Sequence, residues 1–245
     1  MNDVLNIHDA KAIEQNVKES NTDVLIAGNN VTIQSLDGSP SVLNNASAIQ
    51  GNRTVVITMD EINNGTKVFG SKQAAISAGE LLYLKADIIN NNSGIIAATG
   101  EDSLVSITAR EINNTTNSQK EQHLIETISK NIFDQENYGK VVYEYAPDVK
   151  THIGTTALIG GAGNLSINTT GDMNLKGSAI FANKDINLDI GGDLNSVVVE
   201  DYTRTYTRTQ EDGGMFGDDE TREEETIKIR NISSYITLES FGKIK

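Results

Sequence analysis

The stretch Gly163-Asn164-Leu165-Ser166-Ile167, then Gly171-Asp172-Met173-Asn174-Leu175-Lys176-Gly177-Ser178, then Asp185-Ile186-Asn187-Leu188-Asp189-Ile190-Gly191-Gly192-Asp193-Leu194, is one short pattern written three times. Each copy sets apolar residues two apart between Gly, Asn and Asp, which reads as a strand of about three residues followed by a turn. A chain written this way winds as stacked coils held by their neighbours and does not close into a globule. The expected fold is all-β, a solenoid of short strands.

Working outward, the same strand core recurs as Val31/Ile33, Val55/Ile57, Leu82/Leu84, Val105/Ile107, Leu165/Ile167, Ile186/Leu188 and Ile236/Leu238. From the first member of each pair the intervals are 24, 27, 23, 60, 21 and 50 residues. Four of them match one turn of a solenoid of about 20–29 residues. The intervals of 60 and 50 read as coils with a hairpin spliced in. One coil offers only a few inward side chains, each contributing roughly 1.5–3 kcal/mol on burial. Ordering its backbone opposes this by about 1–2 kcal/mol per residue, so coils must fold together.

Asn pairs supply a second register. Glu61-Ile62-Asn63-Asn64 recurs as Glu111-Ile112-Asn113-Asn114, with Asp87-Ile88-Ile89-Asn90-Asn91 between them. The pairs trail each strand core by a few residues, which predicts corners where Asn adopts left-handed backbone angles. Stacked coils then place Asn above Asn at roughly 4.8 Å, the spacing at which amide ladders form. Chance Asn-rich surface loops are the plainer alternative, and the matched offset argues against it.

Two stretches interrupt the repeat. In 115–153, Leu124, Ile125, Ile128 and Ile132 share one helical face, whereas Val141-Val142-Tyr143-Glu144-Tyr145 reads as a strand, so a helix or a hairpin excursion is expected. In 197–232, Tyr202-Thr203-Arg204-Thr205-Tyr206-Thr207-Arg208-Thr209 and Glu223-Glu224-Glu225-Thr226-Ile227-Lys228-Ile229-Arg230 flank a turn rich in Gly and Asp. This predicts a hairpin in which Arg204 and Arg208 face the glutamates. Residues 200–226 hold ten acidic and three basic side chains, a net −7 that is half of the chain's −14. We single out Tyr202, Arg204, Tyr206, Arg208, Met215 and Phe216 as the candidate interaction residues of this hairpin. A calcium loop at Asp212, Asp218, Asp219 and Glu220 fits neither the Asp-x-Asp-x-Asp-Gly loop nor the Gly-Gly-x-Gly-x-Asp roll, so a solvated tip is expected.

Composition narrows the function classes. The 245 residues are 37% hydrophobic and 5% aromatic, with no Trp and two Pro, which suits a narrow core better than an aromatic-rich enzyme. A net charge of −14 disfavours nucleic acid and anionic membrane surfaces as partners. With no Cys there is no disulfide and no thiolate chemistry. Gly161-Ala162-Gly163 lacks a third Gly at position 166 and is no dinucleotide loop. No nucleophile elbow, phosphate loop or His-Glu-x-x-His motif occurs. His8, His123 and His152 have no ligand set around them. Asp172, Asp185, Asp189 and Asp193 read as turn residues. The expectation is a non-enzyme without catalytic, cofactor-binding or metal residues. No signal peptide is seen after Met1, and no apolar run reaches the ~18 residues of a membrane span.

The run Gly163–Ile167, Gly171–Ser178, Asp185–Leu188 and Gly191–Asn195 resembles the haemagglutinin repeat of the filamentous haemagglutinin family, and 24–114 looks like a degenerate continuation. These are exoproteins of Gram-negative two-partner secretion systems, including effectors of contact-dependent growth inhibition. The resemblance implies a right-handed parallel β-helix (β-solenoid) with protruding hairpin insertions. It implies export through an outer-membrane two-partner transporter, a place on the bacterial surface or outside the cell, and a host or target-cell receptor of protein or glycan. The family's Asn-Pro-Asn-Gly-Ile secretion signature is absent, and the pattern runs on to Lys245, so a piece of a longer stack is expected. The resulting plan has a lead-in at 1–23, coils at 24–114, an insertion at 115–153 and haemagglutinin-repeat coils at 154–199. An acidic hairpin at 200–232 and the start of another coil at 233–245 complete it. Within it the chain serves as a stalk, a rigid spacer and contact surface of an adhesin or toxin-delivery filament. The alternative is a parallel β-helix that binds or cleaves carbohydrate, which rests on analogy of fold alone.

Overall fold

A computed structural model describes residues 4–7, 12–15, 25–35, 40–65, 73–123, 148–211 and 220–238. The chain winds through strands β1 (Val4–Ile7), β2 (Ala12–Gln15), β3 (Leu25–Gln34), β4 (Val42–Asn45), β5 (Ala48–Thr58) and β6 (Glu61–Gly65). It continues through β7 (Ala75–Ala78), β8 (Leu81–Lys85), β9 (Ile88–Asn92), β10 (Ile95–Ala98), β11 (Leu104–Ala109) and β12 (Glu111–Thr115). An antiparallel pair follows, β13 (Ser118–His123) and β14 (Asp148–Ile153). Winding resumes with β15 (Leu158–Gly161), β16 (Asn164–Thr169), β17 (Met173–Lys176), β18 (Ala179–Ala182), β19 (Ile186–Ile190) and β20 (Leu194–Val197). The long strands β21 (Val199–Glu211) and β22 (Glu220–Ile232) precede β23 (Tyr235–Leu238).

Every winding strand pairs in parallel with its counterpart one coil away, which makes this unit a parallel β-helix with three faces. The first face carries β1, the second half of β3, the second half of β5, β8, β11, β16 and β19. On the second face lie β2, β4, β6, β9, β12, β17 and β20. The third takes the first halves of β3 and β5, then β7, β10, β15, β18 and β23. Because β3 and β5 run on through a corner, the third and first faces join as one sheet. Among the described residues no helix occurs.

Alternation in the sequence becomes columns in the core. Val31, Val55, Leu82, Val105, Leu165 and Ile186 are register partners on the first face, none more than 1% exposed. Leu43, Ile62, Ile89, Ile112 and Met173 stack on the second face, and Ile49, Ile76, Ile96, Ile159 and Ile180 on the third, all buried. A one-residue slip would turn every column outward, so burial fixes the register of each coil. The 60-residue interval is one coil with an insertion, since Val105 pairs with Leu165.

Two expectations are corrected. Ile236 does not continue the Ile186 column: it pairs with Ile180 on the third face, so the 50-residue interval spans two different faces. The short apolar pair on each face has the same spacing, and pattern alone does not say which face it serves. The Asn pairs are not left-handed corners but lie inside strands β4, β6, β9 and β12. Among the described non-glycine residues only Ser93 has positive φ, at 54°. Strand alternation turns the first Asn of each pair outward and the second into the core, where stacking satisfies the amide that would otherwise disfavour a strand.

The second unit is formed by residues 118–153 and 200–231, the two insertions. Its sheet has the order β13-β14-β21-β22, with β14 antiparallel to β21 through Val149–Arg204 and Lys150–Thr203. The helical face at Leu124–Ile132 and the strand at Val141–Tyr145 fall outside the described residues.

Candidate interaction surface

The buried Asn column defines the corner between the second and third faces. Asn45 Nδ2 donates to Asn64 Oδ1 at 2.8 Å, Asn64 to Asn91 at 2.8 Å and Asn91 to Asn114 at 2.7 Å. Each amide also reaches a backbone carbonyl of the third face one coil on: Ala75 at 3.1 Å, Ile95 at 3.0 Å, Leu158 at 3.1 Å and Ala179 at 3.1 Å. In the next coil Leu175 takes the ladder position and the column ends. An outer column runs beside it through Asn44, Asn63, Asn90, Asn113, Asn174 and Asn195, linked at 2.8–2.9 Å. Glu61 and Glu111 each accept from the Asn two residues on, at 2.9 and 3.0 Å.

Both insertions enter the sequence at this same corner, one between β12 and β15, the other between β20 and β23. Coil closure there falls to short side chains. Thr116 Oγ1 donates to the Gly177 carbonyl at 2.6 Å and accepts from the Ala157 N–H at 3.0 Å, and the Gly154 N–H reaches the Asn117 carbonyl at 2.8 Å. In the last described coil Ser234 Oγ takes the N–H of Ser178 at 3.2 Å and donates to Val197 O at 3.3 Å. The coil between them crosses the corner in two residues. Gly177 has φ +53°, and a Cβ there would lie 2.6 Å from Val199 Cγ2, so only glycine fits.

In the hairpin unit, Lys120 is the link between insertions. Its ammonium lies 3.1 Å from Glu200 and 4.9 Å from the centroid of the Tyr202 ring, an ion pair combined with a cation–π contact. Tyr202 is half-buried, and its N–H donates to Thr151 Oγ1 at 3.2 Å. Arg204 pairs with Glu225 at 2.5 Å across β21 and β22, as alternation suggested, and Asp201 pairs with Arg230 at 3.1 Å. Tyr206 lies half-buried on β21. Arg208 is on the same strand, with its side chain outside the described residues, as are Met215 and Phe216 altogether. The structure therefore groups Tyr202 and Arg204 with Glu225, one of the expected glutamates, and with Lys120 and Glu200, two partners the sequence did not point to. Ser118–His123 has no apolar member and so carries no strand period of its own; its strand is set by antiparallel pairing with β14.

His152 faces Glu121 at 2.5 Å, and no group of three metal-capable side chains exists among the described residues. Asp212, Asp218 and Asp219 of the weighed calcium loop lie outside them, while Glu220 opens β22. The coil surface carries isolated ion pairs. The Lys184 ammonium, hydrogen-bonded to Asp102, holds that carboxyl below the usual carboxylate range. Glu80 and Asp87 raise the guanidinium groups of Arg53 and Arg110 in the same way, each by a hydrogen bond of 3.0 Å.

Compared with known proteins, residues 60–213 match the family described as "Hemagglutinin repeat", well over half of the chain. No curated protein and no solved structure matches.

Proposed function

Because the chain belongs to the haemagglutinin repeat family, whose members are secreted or surface exoproteins of the filamentous haemagglutinin type and generally not enzymes, we propose that it acts as a non-catalytic spacer whose hairpin unit makes the specific contact. The observation that carries this reading is the division of labour at one corner. Coils repeat with the same buried columns from β3 to β19, and every departure in the described chain, residues 118–153 and 200–231, enters between the second and third faces. A repeat that conserves its core and varies one corner has placed its adaptable surface there. The expected partner is a receptor on a host or target cell, and export of the intact protein would run through a two-partner transporter of the outer membrane.

Replacing 200–231 by a short Gly-Ser bridge from Val199 to Ile232 tests the contact. The trimmed chain should keep its strand signal in circular dichroism and lose cell binding. Unchanged binding by a folded trimmed chain would remove the hairpin from the proposal. Glycan binding along the outer Asn column is the second reading, supported by a continuous row of amides, half-exposed from Asn44 to Asn174 and exposed at Asn195. A polysaccharide array probed with the full chain decides it, since retention of a neutral or acidic glycan that is lost in Asn90→Ala would favour the face over the hairpin.

A further inference from the structure

We infer that β22 is a docking edge for a second copy of this chain. It is the last strand of the hairpin sheet, and among the described residues nothing pairs with its outer side. Its side chains from Arg222 to Asn231 are all exposed, including Ile227 at 50% and Ile229 at 58%. Exposed edges are normally blunted by short strands, proline, a bulge or charged side chains, lysine above all. Residues 222–230 contain no proline but six charged side chains, Lys228 among them, so what the edge admits depends on its charge order, and two isoleucines two apart give one face of the strand an apolar centre.

The charge order selects the occupant. Reading along the strand, Glu223, Glu224 and Glu225 precede the isoleucines and Lys228 and Arg230 are interleaved with and follow them. A strand acidic at its start and basic at its end complements itself when reversed, which is how two copies meet across a two-fold axis. In an antiparallel edge pair the axis stands perpendicular to the sheet, so opposed residues must point to the same face and differ by an even number. Centring the axis on Ile227 sets Ile227 against Ile227, Glu225 against Ile229, Thr226 against Lys228 and Glu224 against Arg230, the last pair occurring twice. No like charges oppose each other. Moving the centre to Lys228 opposes two lysines, to Thr226 opposes Arg222 and Arg230, to Glu225 opposes two glutamates, and to Ile229 opposes Lys228 and Arg230. Like charges directly opposite are destabilising and unlike ones stabilising, so one register stands out. In it four isoleucines form a shared apolar patch, with Ile227 and Ile229 of the two copies as diagonal neighbours.

The test uses the full chain in sedimentation velocity over about a hundredfold range of concentration, where mass action must shift an associating protein. The weight-average mass should climb from one chain, 26.5 kDa, toward two. The double substitution Ile227→Lys with Ile229→Lys should hold it at one chain, with the circular dichroism unchanged because both side chains are exposed. As the chain has no Cys, Ile227→Cys gives a single thiol whose copy in the dimer lies within disulfide reach. Mild oxidation should crosslink it at least tenfold faster than Thr205→Cys, an exposed position on β21. A mass that stays at one chain, a dimer that survives the lysine pair, or equal crosslinking at 205 and 227 would each overturn the proposal.

Discussion

Asn91 is the residue on which the buried ladder can be broken most cleanly. It is fully buried; its Oδ1 accepts from Asn64 at 2.8 Å, and its Nδ2 is shared among Asn114 Oδ1 at 2.7 Å, Gly94 O at 3.0 Å and Leu158 O at 3.1 Å. Asn91→Ala leaves one N–H of Asn64 and the Oδ1 of Asn114 without their partner across the gap left by the amide. Each such orphan costs about 1–3 kcal/mol, so the substitution should lower stability by roughly 2–6 kcal/mol before any cavity term. Asn90 is the control one residue away. It makes the same two kinds of bond, to Asn63 at 2.8 Å and from Asn113 at 2.9 Å, on the half-exposed outer column. Water can replace those partners, and Asn90→Ala should cost about 0.5–1.5 kcal/mol. Urea unfolding followed by circular dichroism measures both, with the slope checked for loss of cooperativity, since stacked coils can unfold piecemeal. The reasoning fails if the two variants lie within about 0.5 kcal/mol of each other, because desolvation of the inner column is all that separates them.

Three further outcomes are expected. Gly94→Ala should destabilise by about 1–3 kcal/mol in the same assay, since its Cβ would stand 2.5 Å from both Asn64 Nδ2 and Asn91 Oδ1 and push the ladder apart. Lys184→Ala should raise the Asp102 carboxyl toward its ordinary value in an NMR titration. In the parent chain the pair's contribution is present above the unfolded carboxyl value of 3.8 and fades as pH falls through the lower folded one; on the alkaline side, where Lys184 is raised from 10.5, it is lost only above that value, so stability should not respond to this pair between them. Lys120→Ala removes the contacts to Glu200 and Tyr202 and should speed hydrogen exchange in β13 and β21 together while leaving β8 and β16 unchanged.

How far the sequence could be read depended on whether a residue's role was local or shared between coils. The first-face pairs from Val31/Ile33 to Ile186/Leu188 were legible because strand alternation is local and repeats at the coil period. Ile236/Leu238 carries an identical local signal on a different face, and only its pairing with Ile180 and Ala182 reveals that. For the Asn pairs, stacking was foreseeable from their spacing, but their backbone was not. Turn propensity argued for corners, whereas the bonds that keep Asn64, Asn91 and Asn114 inside strands come from residues 19 to 27 positions away. The meeting of the two insertions through β14 and β21 lies further out of reach, since Val149 and Arg204 pair from positions far apart in the chain with no local signal to mark the partner.

That both insertions use the corner between the second and third faces follows from how the coil is closed there by side chains, by Asn114 and Thr116 at the first insertion and by Ser234 at the second. A loop's closure entropy rises by only about 0.6 kcal/mol per doubling of length. Stretching the two-residue corner at Ser93-Gly94 to the 36 residues of 118–153 is about four doublings, or roughly 2.5 kcal/mol. Against this stand the bonds that close the coil at the insertion's base: Asn117 N to Ser93 Oγ at 2.9 Å, Gly154 N to Asn117 O at 2.8 Å, Thr155 Oγ1 to Ser93 O at 3.1 Å, and the two made by Thr116. At about 0.5–1.5 kcal/mol each they offset the loop. The Asn114 amide meanwhile ties the end of the second face to the Ala179 carbonyl on the third, whatever chain length lies between. A corner with its own side-chain closure does not depend on a short turn, and that independence lets it carry a hairpin without disturbing the columns on either side.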